Sequence, residues 1–285
     1  MAIVYLNGQF VPEDQAHVSV LDRGFIFGDG VYEVIPVYGA RLFRLDEHID
    51  RLDNSLNAIR LTNPLTRPQW KNLLTTLVEQ NGTGDLAVYL QITRGVAKRD
   101  HALPSEPKHT VFAMANPLSP PNKAELLNGV AAITHDDYRW KNCHIKSISL
   151  LPNILLRQQA IDAGALETIL IRDEEATEGA ASNLFIVNNG TIITPPKGQF
   201  LLPGITRDLI LELAQKNNLA HQEASISATQ LQQAQEVWLT SSMKEILPVT
   251  RLDDAPVGDG KAGPVWSTMF DLYQDFKQQL RTQSA

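Results

Sequence analysis

Lys146 in the segment HIKSIS and Glu178 in TEGAASNLFIV, 32 residues further on, are side chains whose types and settings could carry chemistry. Ile145 and Ile148 alternate with polar residues around the lysine, so the segment reads as a strand that buries it. A buried lysine sheds its proton readily, and the free amine attacks a carbonyl carbon. Taken alone, the same segment is more readily a strand with its lysine solvated on the polar face. Glu178 lies in a small-residue turn entering a strand, with Gly179, Ala180 and Ala181 beside it. There the backbone can come close to a flat ligand. By itself it is also an ordinary loop acid. A third feature is Ile205-Thr206, which opens the amphipathic stretch GITRDLILELAQKN. A helix start of this kind offers unpaired N–H groups and a positive dipole end to an anion.

Elements must hold these residues in place, and the hydropathy pattern supplies them in two halves. IVYL (3–6) and QFV (9–11) flank Asn7-Gly8, a pair suited to the positive φ of a hairpin turn. VYEVIPVY (31–38) pairs with RLFR (41–44) across Gly39-Ala40. Ile49, Leu52, Leu56 and Ile59 recur at steps of three and four, the period of a helix with one buried face. A second helix starts after Thr66, carries Pro68 in its first turn and the stripe Leu73, Leu74, Leu77 and Val78, and ends at Gly82. LAVYLQIT (86–93) and TVFAMA (110–115) read as inner strands. NPLSPPNKAELLN (116–128), with three prolines, reads as a connector. The expected organisation is therefore an N-terminal domain over 1–118, a linker over 119–128 and a C-terminal domain over 129–285. The second half offers strands at 129–134, 143–149, 167–172, 184–187 and 236–242, a helix from Pro152 to Gly164, and another from Gly204.

Composition narrows the function. Of 285 residues, 43% are hydrophobic and 20% charged, enough for a folded core rather than a disordered chain. A formal charge of −7 and the lack of a basic run argue against a nucleic-acid partner. No apolar stretch approaches the roughly 18 residues of a membrane span, and MAIVYLNGQFVPEDQ resembles no secretion signal, so a cytoplasmic protein is expected. In that compartment the N-x-T sequences at Asn81 and Asn189 go unglycosylated. A single cysteine, Cys143, excludes an intrachain disulfide and reads as a buried, inert thiol. The seven histidines contain no i,i+4 pair and no partner cysteines, so no metal is expected. GDGKAG (258–263) matches a dinucleotide-loop pattern, but Pro256 and Pro264 bracket it and it reads as a surface turn.

Together with DRGFIFGDGVYEV (22–34), EHIDRL (47–52), KSISLLPN (146–153), PGITRD (203–208) and LTSSMKEI (239–246), the Lys146 and Glu178 segments resemble the fold-type IV pyridoxal-phosphate enzymes along nearly the whole chain. The resemblance implies an α/β fold, with a small N-terminal α/β domain and a larger C-terminal pseudo-barrel domain. It also implies a homodimer, with pyridoxal 5'-phosphate held between domains. Lys146 becomes the Schiff-base lysine and Glu178 the partner of the pyridine nitrogen. A carboxylate there keeps the nitrogen protonated, so the ring accepts the electrons left when the Cα proton departs, and the lysine shuttles that proton. The implied phosphate cradle is Arg51, Ile205, Thr206, Ser241 and Ser242. Arg139 is implied near the phenolic oxygen and Leu202 against the ring face.

Within that family the chain is most similar to the transaminases of D-amino acids. Tyr32 of VYEV, with Arg99 and His101 of TRGVAKRDH (93–101), match the positions that trap the substrate α-carboxylate, the last two reaching in from the partner subunit. Guanidinium and imidazole can both donate to one carboxylate, although KRDH alone would be a charged loop. Ala180, Ala181 and Met243 depart from the hydroxyl residues common among relatives. The implied reaction moves an amino group from a D-amino acid such as D-alanine to a 2-oxo acid such as 2-oxoglutarate. Rivals on the same scaffold are (R)-selective amine, branched-chain L-amino acid and aminodeoxychorismate-lyase-like activities. A rival of another class is a pyridoxal-phosphate-binding protein without turnover.

Overall fold

Asn7 and Gly8 take φ of 48° and 98°, and the turn they make joins β1 (Ile3–Leu6) to β2 (Gln9–Pro12) in the expected register. The same logic recurs at Gly39-Ala40 (φ 57° and 62°), between the strands Gly30–Tyr38 and Arg41–Leu42. The computed structural model describes residues 2–82, 84–119 and 122–282. The chain divides into two units: Met1–Ser119 with Ile145–Leu150 and Gln279–Ala285, and Pro120–His144 with Leu151–Gln278. Pro120 and Pro121 of the expected linker, and Thr83 of the first N-x-T sequence, lie outside the described residues.

The first unit continues with α1 (Arg23–Phe27), β3 (Gly30–Tyr38), β4 (Arg41–Leu42), α2 (Leu45–Ala58), α3 (Arg67–Asn81), β5 (Leu86–Thr93) and β6 (Thr110–Pro117). Its six strands form an antiparallel sheet in the order β2-β1-β6-β5-β3-β4. Thr66 and Gln69 bond reciprocally in a capping box that starts α3. The odd residues Val31, Ile35 and Val37 of β3 and the even residues Leu86, Val88, Leu90 and Ile92 of β5 are buried in one core with Leu52 and Leu56 of α2 and Trp70, Leu74 and Leu77 of α3. Phe43 and Arg44 do not extend β4, because Arg44 turns to φ 50° and leads into α2.

HIKSIS is not the regular strand its alternation suggests. Ser147 N donates to Ile145 O and Leu150 N to Ile148 O, tight local bonds that a strand does not make. The segment instead lies along the free edge of β3, where Tyr32 N donates to Lys146 O and Ile148 N to Gly30 O. Those bonds explain why Ile145–Leu150 groups with the first unit, whereas the sequence assigns it to the C-terminal half.

In the second unit, Asn122 caps a short helix, α4 (Lys123–Asn128), inside the expected connector. There follow β7 (Val130–Asp136), α5 (Leu151–Asp162), β8 (Glu167–Arg172), β9 (Glu175–Gly179), β10 (Asn183–Asn188), β11 (Thr191–Thr194), α6 (Ile205–Lys216), β12 (His221–Glu223), β13 (Ile226–Ser227) and α7 (Ala228–Gln232). The chain ends with β14 (Glu236–Ser241), β15 (Glu245–Leu252), β16 (Ala255–Pro256) and α8 (Pro264–Thr282). The sheet runs β12-β11-β10-β14-β15-β7-β8-β9-β13, with β16 on β15. It curls until β9 returns against β10, where Gly179 N donates to Ser182 O. The result is the expected pseudo-barrel, filled by Val130, Ile169, Leu184, Ile186, Leu239 and Leu247 among others. GDGKAG is a turn, with Gly258 and Gly260 at positive φ.

Candidate functional site

The residues singled out in the first unit gather around β3 and α2. Lys146 is half-buried rather than buried, and its Nζ stands 4.2 Å from the centroid of the Tyr32 ring. Tyr32 stacks on Tyr89 (5.7 Å between centroids, 28° between planes), whose hydroxyl donates to Gln91. Burial pushes the Tyr89 phenol up to about 12, so it stays neutral and acts through packing. The Lys146 amide donates to Ser55 Oγ on α2 (3.1 Å), which fixes the segment at the foot of that helix.

Arg51 is buried, not solvated as its amphipathic helix alone suggests. It donates from Nε to Glu33 Oε1 (2.9 Å) and from Nη2 to Oε2 (2.7 Å). Glu33 occupies the core-facing side of β3 between Val31 and Ile35, so an unpaired carboxylate there would be costly. Burial opposes its ionisation, yet the Arg51 charge and the bonds from Arg51 and His48 bring it down to about 2. His48 Nδ1 lies 2.7 Å from Glu33 Oε2 and must be the donor there. Burial keeps His48 below the ordinary histidine value, and its Nε2 is buried without a hydrogen-bond partner. Arg99 and His101 come together elsewhere, on the exposed loop between β5 and β6, each 5.5 Å from the centre of the Phe27 ring.

In the second unit, Glu178 sits near the end of β9 rather than in a turn; the small-residue turn follows it. Its carboxylate is buried and accepts from Arg139 Nη1 (2.7 Å), Leu202 N (3.0 Å) and Asn183 Nδ2 (3.3 Å). Burial raises Glu178 to about 7 against the pull of the Arg139 charge and these bonds. Asp137 takes up the rest of Arg139, accepting from Nε (2.9 Å) and Nη2 (3.0 Å). Asn183 also donates to Leu202 O (2.8 Å), so one side chain ties the Leu202 backbone to Glu178.

Gly204 caps α6, and a Cβ on it would fall 1.9 Å from Asn183 Oδ1, so this approach admits only glycine. Ile205 and Thr206 form the first turn, both buried, and Thr206 Oγ1 has no hydrogen-bond partner. Thr240 Oγ1, near the end of β14, is likewise buried and unpartnered. Ser241 closes β14 and Ser242 opens the turn to β15, in which Ser241 Oγ accepts from Lys244 N (3.2 Å). Of the departures from the family pattern, Ala180 is buried against Leu156 and Leu170, and Met243 is exposed. Burial pushes the Cys143 thiol up to about 11, which leaves it inert.

Sequence reasoning missed Glu33, His48, Asp137, Asn183 and Thr240. Only Glu33 leaves a signal, a charged residue on the apolar alternation of β3. Among the described residues no group of His, Cys, Asp or Glu is arranged to hold a metal ion, and no helix is long and apolar enough to cross a membrane.

Comparison with known proteins matches these elements. The family model described as Amino-transferase class IV covers residues 30–252. The D-alanine aminotransferase of Listeria monocytogenes is 40% identical over 279 residues, 97% of this chain and 96% of that one. The enzyme of the same name from Bacillus licheniformis is 42% identical over 262 residues, 92% of each. Among solved structures, the branched-chain amino acid aminotransferase of Escherichia coli gives a TM-score of 0.91 at 25% identity, over 99% of this chain and 96% of that one. The T.th. branched-chain amino acid aminotransferase with pyridoxamine 5'-phosphate gives 0.92 at 27%, over 99% and 95%.

Proposed function

The chain belongs to the class IV aminotransferases, and on that premise we propose that it transfers the amino group of a D-amino acid such as D-alanine to a 2-oxo acid such as 2-oxoglutarate with pyridoxal 5'-phosphate. The observation that carries this reading is identity of 40% and 42% to D-alanine aminotransferases over more than nine-tenths of both chains. A homodimer in the cytoplasm, without nucleic-acid or membrane partners, is part of the same proposal.

The residues present fit the cofactor. Thr206 Oγ1 is a buried hydroxyl without a partner at a helix start, and an arriving phosphate oxygen would supply one. Glu178, poised near 7, would ionise fully once a ring N–H donates to it. When bound, pyridoxal phosphate supplies an aldehyde that captures amines and a ring that accepts electrons from Cα. Lys146 would hold that aldehyde carbon through Nζ at rest. Released by the substrate amine, Nζ would take the Cα proton and return it to the former aldehyde carbon, across the nitrogen from Cα. Arg139 would orient the ring through its phenolic oxygen and keep Glu178 aimed, while Leu202 would lie against the ring face. Arg51, the Ile205 and Thr206 amides, the Thr206 hydroxyl, Ser241 and Ser242 would bind the phosphate. Tyr32, Arg99 and His101 would hold the substrate α-carboxylate.

The test is a half-reaction of purified holoenzyme with D-alanine, L-alanine and L-leucine in parallel, followed by cofactor absorbance. Conversion with D-alanine alone is expected. Conversion with L-leucine but not D-alanine would transfer the chain to the branched-chain specificity of its structural neighbours. No conversion with any amino acid would leave it a cofactor-binding protein.

A further inference from the structure

Arg99 and His101 are exposed, and two long exposed side chains normally lose their freedom at a cost when they bind an anion. Here they are already gathered. The Phe27 ring, at the end of α1, faces three groups: the Arg99 guanidinium (5.5 Å to the centroid), the His101 ring (5.5 Å, tilted 42°) and the Arg23 guanidinium (4.8 Å). An aromatic face attracts each of them through its quadrupole and packs against their flat surfaces.

The backbone beneath these side chains is fixed as well. Arg23 is buried and donates from Nη1 to Asp100 O (2.6 Å), the carbonyl between Arg99 and His101, and more weakly to Ala102 O (3.4 Å). Asp29 holds Arg23 in turn, accepting from its Nε (2.7 Å) and from Arg94 Nε (2.8 Å). Arg94 is anchored on the carbonyls of Ile59 and Arg60. Arg23 N donates to Gly95 O and Ala97 N to Leu21 O, which stitches the start of the loop to α1. A loop that would otherwise fluctuate is thus tied at both its backbone and the Arg99 and His101 side chains.

We propose that Phe27 and Arg23 are positioning residues that preset Arg99 and His101 as a carboxylate trap, so that substrate affinity, rather than the chemical step, depends on them. The inference rests on the reading of Arg99 and His101 as the α-carboxylate site. It concerns the loop itself, whichever protomer's cofactor the loop serves.

The experiment uses full-length holoenzyme, wild type, Phe27→Leu and Phe27→Tyr, with Arg23→Lys as a variant that keeps the charge but loses the fork. Three quantities are read: the ring-current shift of the His101 imidazole protons by NMR, the Kd of propionate by calorimetry, and KM and kcat for D-alanine. Phe27→Leu should abolish the upfield shift and raise both the propionate Kd and the D-alanine KM by about 10-fold, as expected for two lost ring contacts. Its kcat should stay within about two-fold and its cofactor absorbance unchanged, because nothing at Lys146 or Glu178 is altered. Phe27→Tyr should behave as wild type. Arg23→Lys should raise KM without changing kcat. The proposal is overturned if Phe27→Leu keeps the wild-type Kd and KM, if its kcat falls while KM holds, if Phe27→Tyr fails as Phe27→Leu does, or if wild-type holoenzyme binds no propionate. Should the wild type bind propionate but not turn over D-alanine, the proposed activity fails, and the shift and Kd alone decide the positioning role.

Discussion

Glu178 stands beside a permanent cation and still titrates near neutrality, because its burial outweighs the Arg139 charge and the bonds from Leu202 and Asn183. The sign of the consequence follows. The group ionises at 4.5 in the unfolded chain and near 7 when folded, so between these values the folded state holds a proton the unfolded state has lost. Cofactor-free protein should therefore lose stability as pH rises from about 4.5 to 7, by roughly 3 kcal/mol from this one group. Urea unfolding of cofactor-free wild type and Glu178→Gln across that range isolates it, and a pH-independent difference between the two would refute the assignment. Holoenzyme should not show the slope, since a cationic ring nitrogen favours the carboxylate. At Lys146, borohydride should fix the cofactor to the peptide containing it, and label on another lysine would remove it from the mechanism. Both residues stood out in the sequence only through the family motifs around them, since each alone reads as an ordinary polar residue of a strand or loop. The side-chain pairings that hold the site did not, because Glu33 meets Arg51 across 18 residues and Arg139 meets Glu178 across 39, and such pairings exist only once β3 and α2, or β9 and the segment after β7, are folded.

Among the elements, α8 shows how one buried acid organises a helix. Glu236, at the start of β14, accepts from Val265 N (2.9 Å) and Trp266 N (2.8 Å) in the first turn of α8, and from Trp238 Nε1 (3.0 Å). A carboxylate at this end satisfies orphan donors and complements the helix dipole. Glu236→Ala should cost about 3 kcal/mol, because it leaves three donors without a partner, two of them at a helix start. Chemical denaturation measures this directly, and a loss below about 1 kcal/mol would mean that water replaces the carboxylate. The helix itself escaped sequence reading for a related reason. Its buried stripe is Trp266, Met269, Tyr273 and Lys277, and the last is a charged residue that breaks the apolar period. Lys277 can be buried only because it pairs with Glu245, on a different strand. HIKSIS fails in the opposite direction, showing a strand's alternation without a strand's geometry. Elements specified locally were read closely: the Asn7-Gly8 hairpin to within one residue of its strand ends, and Thr66 as the start of α3, though not Gln69 as its capping partner.

For the molecule as a whole, exposed apolar surface bears on assembly. On α5, Leu151, Ile154, Leu155 and Ile161 fall at helical spacing on one face and are all exposed, Leu151 at 65%. In the first unit Val20, Leu21 and Phe25 are exposed too, Phe25 at 76%. Exposed apolar residues of this kind are commonly covered by a partner, which supports the proposed homodimer. If Arg99 and His101 serve the other protomer's cofactor, Arg99→Ala/His101→Ala removes the carboxylate trap in trans, whereas Lys146→Ala removes the amine in cis. Each homodimer should be impaired with D-alanine. In a hybrid, the chain that keeps Lys146 borrows an intact loop from the Lys146→Ala chain, so one complete site is restored. Differently tagged chains, co-expressed and purified through both tags, should recover up to about half of wild-type activity with D-alanine and 2-oxoglutarate, one site in two. A hybrid no more active than its parents would show that the loop acts within its own chain. Undiminished turnover in the Arg99→Ala/His101→Ala homodimer would instead remove both residues from the substrate site.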